Sequence, residues 1–368
     1  MADRRASLPF SVTGGRRAVV IGAGSFGTAV AVLLVRAGLR TTLQTRTAEQ
    51  ATKLNEEREN SYLPGVELPR DLRIEPAGGG LARADLVFLG VPSRGLDEVI
   101  SALAGTEMQR AAIVSLAKGL VPPDGAAPSA LLRSLFGADR VAVIGGPAHA
   151  QEMVKEGAGL VAASDDESLA AALAQVFTRA GVVCEQSNDP IGVELAGAAK
   201  NAAALAAGAT EAQGLNAAGA AAGHIFAEVW RYAEGLGARP ESLIGLAGTG
   251  DLVATALAPQ SRNRRAGELL AKGVPTAEIP DQIGQAIESF DLVPLLARAL
   301  DRAGVEAPVT GGLARLIAGD LPLDDWIALA RTTVPPPARW RQGFWRRTWE
   351  RVRGWFRRES RRELARGS

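Results

Sequence analysis

Arg17-Ala-Val-Val-Ile-Gly-Ala-Gly-Ser-Phe-Gly-Thr-Ala-Val-Ala-Val-Leu-Leu34 is the stretch from which the architecture of the chain follows. A β-branched apolar run ends in Gly22, Gly24 and Gly27 and passes directly into an apolar segment of helical period, so strand, tight turn and helix succeed one another in eighteen residues. The G-x-G-x-x-G spacing has a physical task at each position. Gly22 permits the turn, Gly24 lets the backbone approach a pyrophosphate, and Gly27 lets the helix lie close on the strand with its amide dipoles aimed at the anion. The stretch predicts a dinucleotide site.

Working outward, a helix from Thr28 to Arg36 closes at Gly38, and Thr41 to Thr45 forms a second strand, completing a βαβ unit. That strand ends in Gln44, Thr45 and Arg46 rather than in the acidic residue that holds ribose hydroxyls in NAD-selective sites. A guanidinium pairs with a 2′-phosphate that a carboxylate repels, so Arg46 favours NADP over NAD; Arg46 as a plain surface residue is the alternative. A charged helix from Ala48 to Asn60 and a loop around Tyr62-Leu-Pro-Gly65 and Leu68-Pro69 are expected next. Three more strands, Leu86–Val91, Ala111–Leu116 and Val141–Ile144, run into Pro92-Ser93, Ala117-Lys118-Gly119 and Gly145-Gly146-Pro147. Ligands of open α/β sheets sit beyond the carboxyl ends of the strands, so these three turns should converge. A helix from Asp166 to Ala180 and a last strand at Gly181–Glu185 complete the pattern.

At Asn188-Asp-Pro190 strand-like alternation gives way to alanine-rich helical segments that continue to Arg331. The fold class is therefore α/β: a Rossmann-type doubly wound sheet followed by an all-helical C-terminal domain. Residues 1–15 read as a leader, 16–189 as the dinucleotide-binding domain, 190–333 as the helical substrate domain, and 334–368 as a basic amphipathic tail after Pro335-Pro-Pro337.

Composition narrows the function. Forty-one basic and forty acidic residues leave a net charge of +1, so a generally basic nucleic-acid binder is not the default. From Arg339 to Arg366, however, eleven Arg face three Glu, which puts +8 on the tail and about −7 on the rest. A single cysteine and no signal-like N-terminus suit a cytoplasmic protein, and the Ala/Gly-rich stretch 202–223 is too polar for a good bilayer span. His149, His224 and Cys184 stand at no ligand spacing, so no metal site is expected and a Ser-His-Asp hydrolase is unsupported.

The few lysines carry more. Lys200 lies in Val193-Glu-Leu-Ala-Gly-Ala-Ala-Lys-Asn-Ala-Ala-Ala-Leu205, almost alone as a polar side chain. Poor solvation lowers an ammonium's pKa and makes it a usable acid/base group; a lysine snorkelling to water is the alternative. Ser261-Arg-Asn-Arg-Arg265, after Gly248-Thr-Gly-Asp251, gathers hydroxyl, guanidinium and amide donors suited to a phosphate dianion, or forms a solvated charge run.

Taken together the chain resembles the bacterial NAD(P)-dependent glycerol-3-phosphate dehydrogenase family from Arg17 to Arg331. The likeness rests on Gly22-Ala-Gly-Ser-Phe-Gly-Thr-Ala29, Arg58-Glu-Asn60, Tyr62-Leu-Pro-Gly65, Val91-Pro-Ser93, Ala117-Lys-Gly119, Gly146-Pro147 with Ala150, Gly192-Val-Glu-Leu-Ala-Gly-Ala-Ala-Lys-Asn201, Gly250-Asp-Leu252 and Ser261-Arg-Asn-Arg264. The resemblance implies interconversion of sn-glycerol 3-phosphate and dihydroxyacetone phosphate with NADP or NAD, in the cytoplasm and feeding glycerophospholipid synthesis, by a homodimer. It implies that Lys200 gives and takes the proton. It places Lys118, Gly146, Asp251, Ser261, Arg262 and Asn263 on the substrate. Ser25, Phe26, Arg46, Lys118, Ala150, Arg262 and Glu288 would surround the cofactor, beside the three glycines.

Five features depart from the family pattern: Ala148 in place of a hydroxyl residue, Ala218 where an arginine is frequent, a shortened segment at Gln213–Gly219, Thr249 in place of an apolar residue, and Gln44-Thr45 in place of Trp-Gly. A paralogue acting on another small phosphorylated or acidic substrate is therefore one alternative, and a non-catalytic cofactor-binding or membrane-associated scaffold a second. In the tail, Trp340, Phe344, Trp345, Trp349, Val352, Trp355 and Phe356 recur at helical steps among arginines. Such a face suits peripheral contact with an anionic membrane, or docking on protein; RNA is a weaker third reading.

Overall fold

The computed structural model describes residues 15–334, apart from 107, 109 and 110, and residue 336. The chain begins β1 (Arg17–Ile21), α1 (Ser25–Arg36), β2 (Arg40–Thr45), α2 (Ala48–Glu57), β3 (Glu59–Asn60), β4 (Leu63–Glu67) and β5 (Arg73–Pro76). It continues through β6 (Leu86–Leu89), α3 (Leu96–Ala104), β7 (Ala112–Ser115), α4 (Pro128–Phe136), β8 (Val141–Gly145), α5 (Ala150–Lys155), β9 (Gly159–Ser164), α6 (Glu167–Arg179) and β10 (Val183–Ser187). From there it is helical: α7 (Pro190–Thr210), α8 (Leu215–Gly235), α9 (Pro240–Ile244), α10 (Asp251–Leu257), α11 (Arg262–Ala271), α12 (Ile279–Ile283), α13 (Glu288–Arg302), α14 (Pro308–Ala318) and α15 (Leu323–Thr332).

Eight strands form one sheet in the order β10-β9-β8-β7-β6-β1-β2-β5. From β5 to β8 every pairing is parallel, while β9 pairs antiparallel with β8, and β10 pairs parallel with β9. The order reverses between β1 and β6, and that is where a doubly wound sheet opens its ligand crevice. Strands covered on both faces are nearly all apolar, and β6, β7 and β8 are buried at every position, Ser115 at the end of β7 included. The doubly wound α/β class with a helical second half is thus what the chain adopts.

Three local expectations are corrected and two strands are added. α2 ends at Glu57 because Arg58 adopts φ +48° and closes the helix; Glu59 and Asn60 then pair with β4, so the expected Tyr62 loop is a short hairpin. β5 and β9 escape the sequence pattern: β5 carries Arg, Glu and Pro on an edge, and β9 reads Gly-Leu-Val-Ala-Ala-Ser, whose alanines do not separate strand from helix. α1 starts at Ser25, three residues earlier than expected, because Gly24 is its N-cap.

α7 is the pivot of the molecule. Pro190 opens it and the Asp189 carboxylate accepts the Gly192 amide at 2.8 Å. Nineteen of its twenty-one residues are buried, because it packs on β8, β9 and α4 as well as on α8, α9, α10, α11 and α13. Glycine and alanine make that crowding feasible: a Cβ on Gly208 would stand 2.1 Å from the Arg264 carbonyl oxygen of α11, and one on Gly267 the same distance from that of Leu205. Backbone against backbone leaves no room for a side chain. Residues through Thr333 form one compact unit, and a second begins at Val334, of which residues 334 and 336 alone are described. The expected tail apart from residues 334 and 336, and all but the last residue of the leader, lie outside the described residues. Among the described residues no single helix is long and apolar enough to cross a membrane.

Candidate active site at the carboxyl ends of the strands

The glycine turn is held by contacts that only glycine allows. Gly22 has φ +108°, and a Cβ there would lie 2.5 Å from the Gly90 oxygen at the end of β6. A Cβ on Gly27 would meet the Gly22 oxygen at 2.1 Å, so α1 and β1 touch through hydrogen atoms alone. Gly24 faces open space. α1 has no side-chain cap, and its hydrogen bonds start with the Thr28 amide to the Gly24 oxygen; helix geometry therefore points the amides of Ser25, Phe26 and Gly27 outward. Open backbone before an uncapped helix N-terminus fits a pyrophosphate. Asn60 locks the turn from behind, donating to the Ala23 oxygen at 3.0 Å and to Thr28 Oγ1 at 2.8 Å. Its role was hidden in the sequence because both partners lie more than thirty residues away.

Gln44 and Thr45 are buried, with Gln44 Nε2 donating to the Gly79 oxygen and Thr45 Oγ1 to the Thr47 oxygen. Arg46, the next residue, is exposed at the rim. Ala150 starts α5 and Ala148, two residues earlier, packs against the sheet core.

The second half of the site is a charge cluster built from three distant segments. Lys118 leaves the end of β7, Lys200 lies in the middle of α7, and Asp251 opens α10. Lys118 Nζ donates to Asp251 Oδ2 at 2.7 Å and to the Gly146 oxygen at 3.0 Å, while Lys200 Nζ stands 3.4 Å from the same Asp251 oxygen. Gly146 has φ +107°, and a Cβ there would collide with the Gly159 oxygen at 2.4 Å. That bend turns its carbonyl onto Lys118.

Lys118 Nζ also lies 5.6 Å from the centre of the Phe26 ring, so the ammonium links the glycine turn to the lysine pair. Burial holds the Lys200 ammonium below its ordinary pKa, and the Lys118 charge adds to that shift; Asp251 and Glu288 oppose it without cancelling it. Burial alone would raise Asp251, but the two ammoniums outweigh it and hold the carboxyl below its ordinary value.

Asn201 ties this cluster to the rest of the candidate residues. Its amide nitrogen donates to the Lys118 oxygen at 3.2 Å and to Glu288 Oε2 at 3.1 Å, and its oxygen accepts from Asn263 Nδ2 at 2.9 Å. The Asn263 oxygen in turn accepts the Ser289 amide at 3.3 Å. Sequence reasoning did not single out Asn201, although it adjoins Lys200; its partners are 62 to 87 residues distant. Ser261 is buried and N-caps α11, its hydroxyl accepting from the Arg264 amide. Arg262 is exposed and reaches the Ala286 oxygen at 3.5 Å. Arg264 turns away to Glu211, Glu268 and the Ala256 oxygen, so the run Ser261–Arg265 divides into a site-facing start and a structural remainder. Among the described residues no three His, Cys, Asp or Glu side chains gather to hold a metal ion.

Comparison with known proteins bears directly on this geometry. Residues 17–170 match the family model described as the N-terminus of NAD-dependent glycerol-3-phosphate dehydrogenase, and residues 189–328 match its C-terminus. The chain belongs to the NAD-dependent glycerol-3-phosphate dehydrogenase family. It is 39% identical over 317 residues to glycerol-3-phosphate dehydrogenase [NAD(P)+] of Deinococcus radiodurans, covering 84% of this chain and 93% of that one. With the same enzyme of Methylococcus capsulatus it shares 35% identity over 325 residues, 86% of this chain and 97% of the relative. The crystal structure of glycerol-3-phosphate dehydrogenase from Coxiella burnetii superposes with a TM-score of 0.81 at 29% identity, covering 87% of this chain and 99% of that one.

Against this glycerol-3-phosphate dehydrogenase family, two departures are now physical. Thr249 is accommodated by donating to the Leu243 oxygen at 3.1 Å, and the buried Gln44-Thr45 pair by the local bonds given above. Ala148 and Ala218 offer no polar atom beyond the backbone.

Proposed function

We propose that the protein interconverts sn-glycerol 3-phosphate and dihydroxyacetone phosphate with NADPH or NADH. The observation that carries this reading is the placement of two lysines on one buried carboxylate directly beside a dinucleotide-binding turn. Gly22, Gly24, Ser25, Phe26 and Gly27 would hold the pyrophosphate, with Arg46 at the adenosine end and Lys118, Ala150, Arg262 and Glu288 around the remainder. The nicotinamide, when bound, supplies or accepts the hydride.

The chain itself must then manage charge and protons. Reduction of the ketone leaves an alkoxide, which needs a cation nearby and a proton. Lys200 is assigned the proton: its lowered pKa makes the ammonium a better acid than a free lysine. Lys118, held between the Gly146 oxygen and Asp251, is assigned the standing charge. Asp251 keeps two ammoniums together that would otherwise repel.

At the start of α11, the Ser261 hydroxyl keeps its own proton to donate, Asn263 keeps one amide hydrogen, and Arg262 adds exposed charge. Together with the helix N-terminus these suit a phosphate dianion. We assign the boundary between cofactor and substrate domains to residues 188–190, the working form to a homodimer, and the basic tail to peripheral membrane contact in the cytoplasm.

The test is oxidation of NADPH and NADH in the presence of dihydroxyacetone phosphate. Turnover with this ketone well above that with glyceraldehyde 3-phosphate or small keto acids is expected. Cofactor binding without turnover of dihydroxyacetone phosphate contradicts the reading and favours a paralogue whose substrate fits Ala148 and Ala218.

A further inference from the structure

α7 meets Lys118 and the start of α4 along a single stripe. Glu194, Gly197 and Asn201 are three and four residues apart, so they share one helical face. Gly197 and Asn201 meet Lys118, and Glu194 meets Ser129 at the start of α4, eleven residues further along. Glu194 accepts the Ser129 amide on both carboxylate oxygens at 3.0 Å and accepts the Ser129 hydroxyl, and the Ser115 side chain at the end of β7 helps to hold its pKa down. Ser115 Oγ in turn accepts the Ala117 amide at 3.3 Å. A Cβ on Gly197 would stand 3.6 Å from Lys118 Cβ and Cγ, so the bare helix backbone supports the lysine stem. Asn201 donates to the Lys118 carbonyl at 3.2 Å. Lys200 follows on the adjacent face and meets Asp251 from the other side.

Of these three contacts, the Glu194 contact is the costliest to place. The side chain is 3% exposed and its neighbours are hydroxyls and an amide, with Arg133 of α4 the cation that acts on it. Nothing in the lysine cluster uses it chemically. We propose that Glu194 is a positioning residue for the reaction: it pins the rotation and axial register of α7 against α4, so that Lys118 and Lys200 both converge on Asp251 Oδ2. A slip of one residue along α7 would move Lys200 by 1.5 Å and turn it by about 100°, and errors on the scale of 1 Å cost about a hundredfold in rate. This inference rests on the assignment of Lys118 and Lys200 to catalysis.

The experiment uses the full chain and compares kcat, KM for dihydroxyacetone phosphate, Kd for NADPH and melting temperature across three proteins: the wild type, Glu194→Gln and Glu194→Leu. Glutamine can accept the Ser129 amide and donate to the hydroxyls once they rotate, so its kcat should stay within about threefold of the wild type. Leucine keeps the volume and drops every hydrogen bond; its kcat should fall roughly tenfold to a hundredfold with NADPH affinity within about twofold.

A folded Glu194→Leu protein with wild-type kcat overturns the proposal. So does an equal loss in Glu194→Gln, because the requirement would then be the charge and not the register. If Glu194→Leu yields no folded protein, Ser129→Ala takes its place. That variant keeps the backbone amide and should lose about threefold in kcat at unchanged NADPH affinity, and unchanged kcat overturns the proposal. A wild type that binds NADPH without turning over the ketone refutes the underlying reaction and this role together. An active wild type with an active leucine variant refutes the positioning role alone.

Discussion

Lys118 and Lys200 reach the same oxygen of Asp251, at 2.7 and 3.4 Å, from segments 82 residues apart in the chain. One buried carboxylate thus balances two ammoniums, and its removal is not a local loss. In Asp251→Asn, Lys200 loses the charge that most opposes its deprotonation, so its pKa should fall further below 10.5. With Lys200 as the proposed proton donor, ketone reduction needs the ammonium and its rate should decline as pH rises through the folded pKa, while alcohol oxidation needs the amine and should rise through it. Asp251→Asn should move both limbs to lower pH and reduce kcat for ketone reduction roughly a hundredfold. Rate profiles with unmoved limbs would separate Asp251 from the titration of Lys200.

Glu194 gives a pH dependence of stability with the opposite origin. Burial pushes its carboxyl up to about 7 from 4.5, against the help of the Ser129 and Ser115 hydrogen bonds. The folded state therefore binds a proton that the unfolded state releases between those values, and stability falls as pH rises through the window. Its full size is on the order of 3 kcal/mol. Urea unfolding of Glu194→Gln between pH 4.5 and 8 should lack that fall relative to the wild type. Parallel curves for the two proteins would show that Glu194 is ionised well below neutrality.

Arg46 is exposed directly after β2, whose buried Gln44 and Thr45 present no carboxylate to repel a 2′-phosphate. Arg46→Ala should weaken NADPH about tenfold and NADH less than twofold. Equal losses in titrations with both cofactors would remove Arg46 from recognition of that phosphate.

How much of this was open to sequence reasoning depended on distance along the chain. Gly22, Gly24 and Gly27 lie within six residues and Gly27 packs directly on Gly22, so their spacing disclosed the turn, though not the Gly90 oxygen that also confines Gly22. Lys200 was visible because a lone ammonium in an alanine-rich helix is a local anomaly. Asn60, Asn201 and Glu194 carry no such mark. Their partners at Ala23, Lys118, Glu288 and Ser129 are brought near only by the sheet order and the packing of α7. β9 was missed for a related reason, since its place is set by pairing with β8 while its alanines favour helix over strand. The Ser261–Arg265 run misled in part, because Arg264 answers to Glu211, fifty-three residues upstream.

The tail beyond the triple proline carries eleven arginines and four tryptophans outside the span shared with the family. Each basic residue near an anionic surface contributes on the order of 1 kcal/mol, weakened by salt. Full-length protein should co-sediment with anionic vesicles at low ionic strength, a chain ending at Val334 should not, and kcat should be the same in both. Equal, weak sedimentation of the two, or loss of the folded soluble protein on truncation, would assign the tail to packing or assembly.

Lys200 is assigned the proton on which both directions of the reaction depend. Lys200→Met keeps the length of the stem and removes the ammonium from beside Asp251. The measurement is steady-state oxidation of NADPH by dihydroxyacetone phosphate, with NADPH affinity determined on the same preparation. kcat should fall by about two to four orders of magnitude while the Kd for NADPH changes less than threefold. A folded Lys200→Met protein that turns over at the wild-type rate would contradict that assignment.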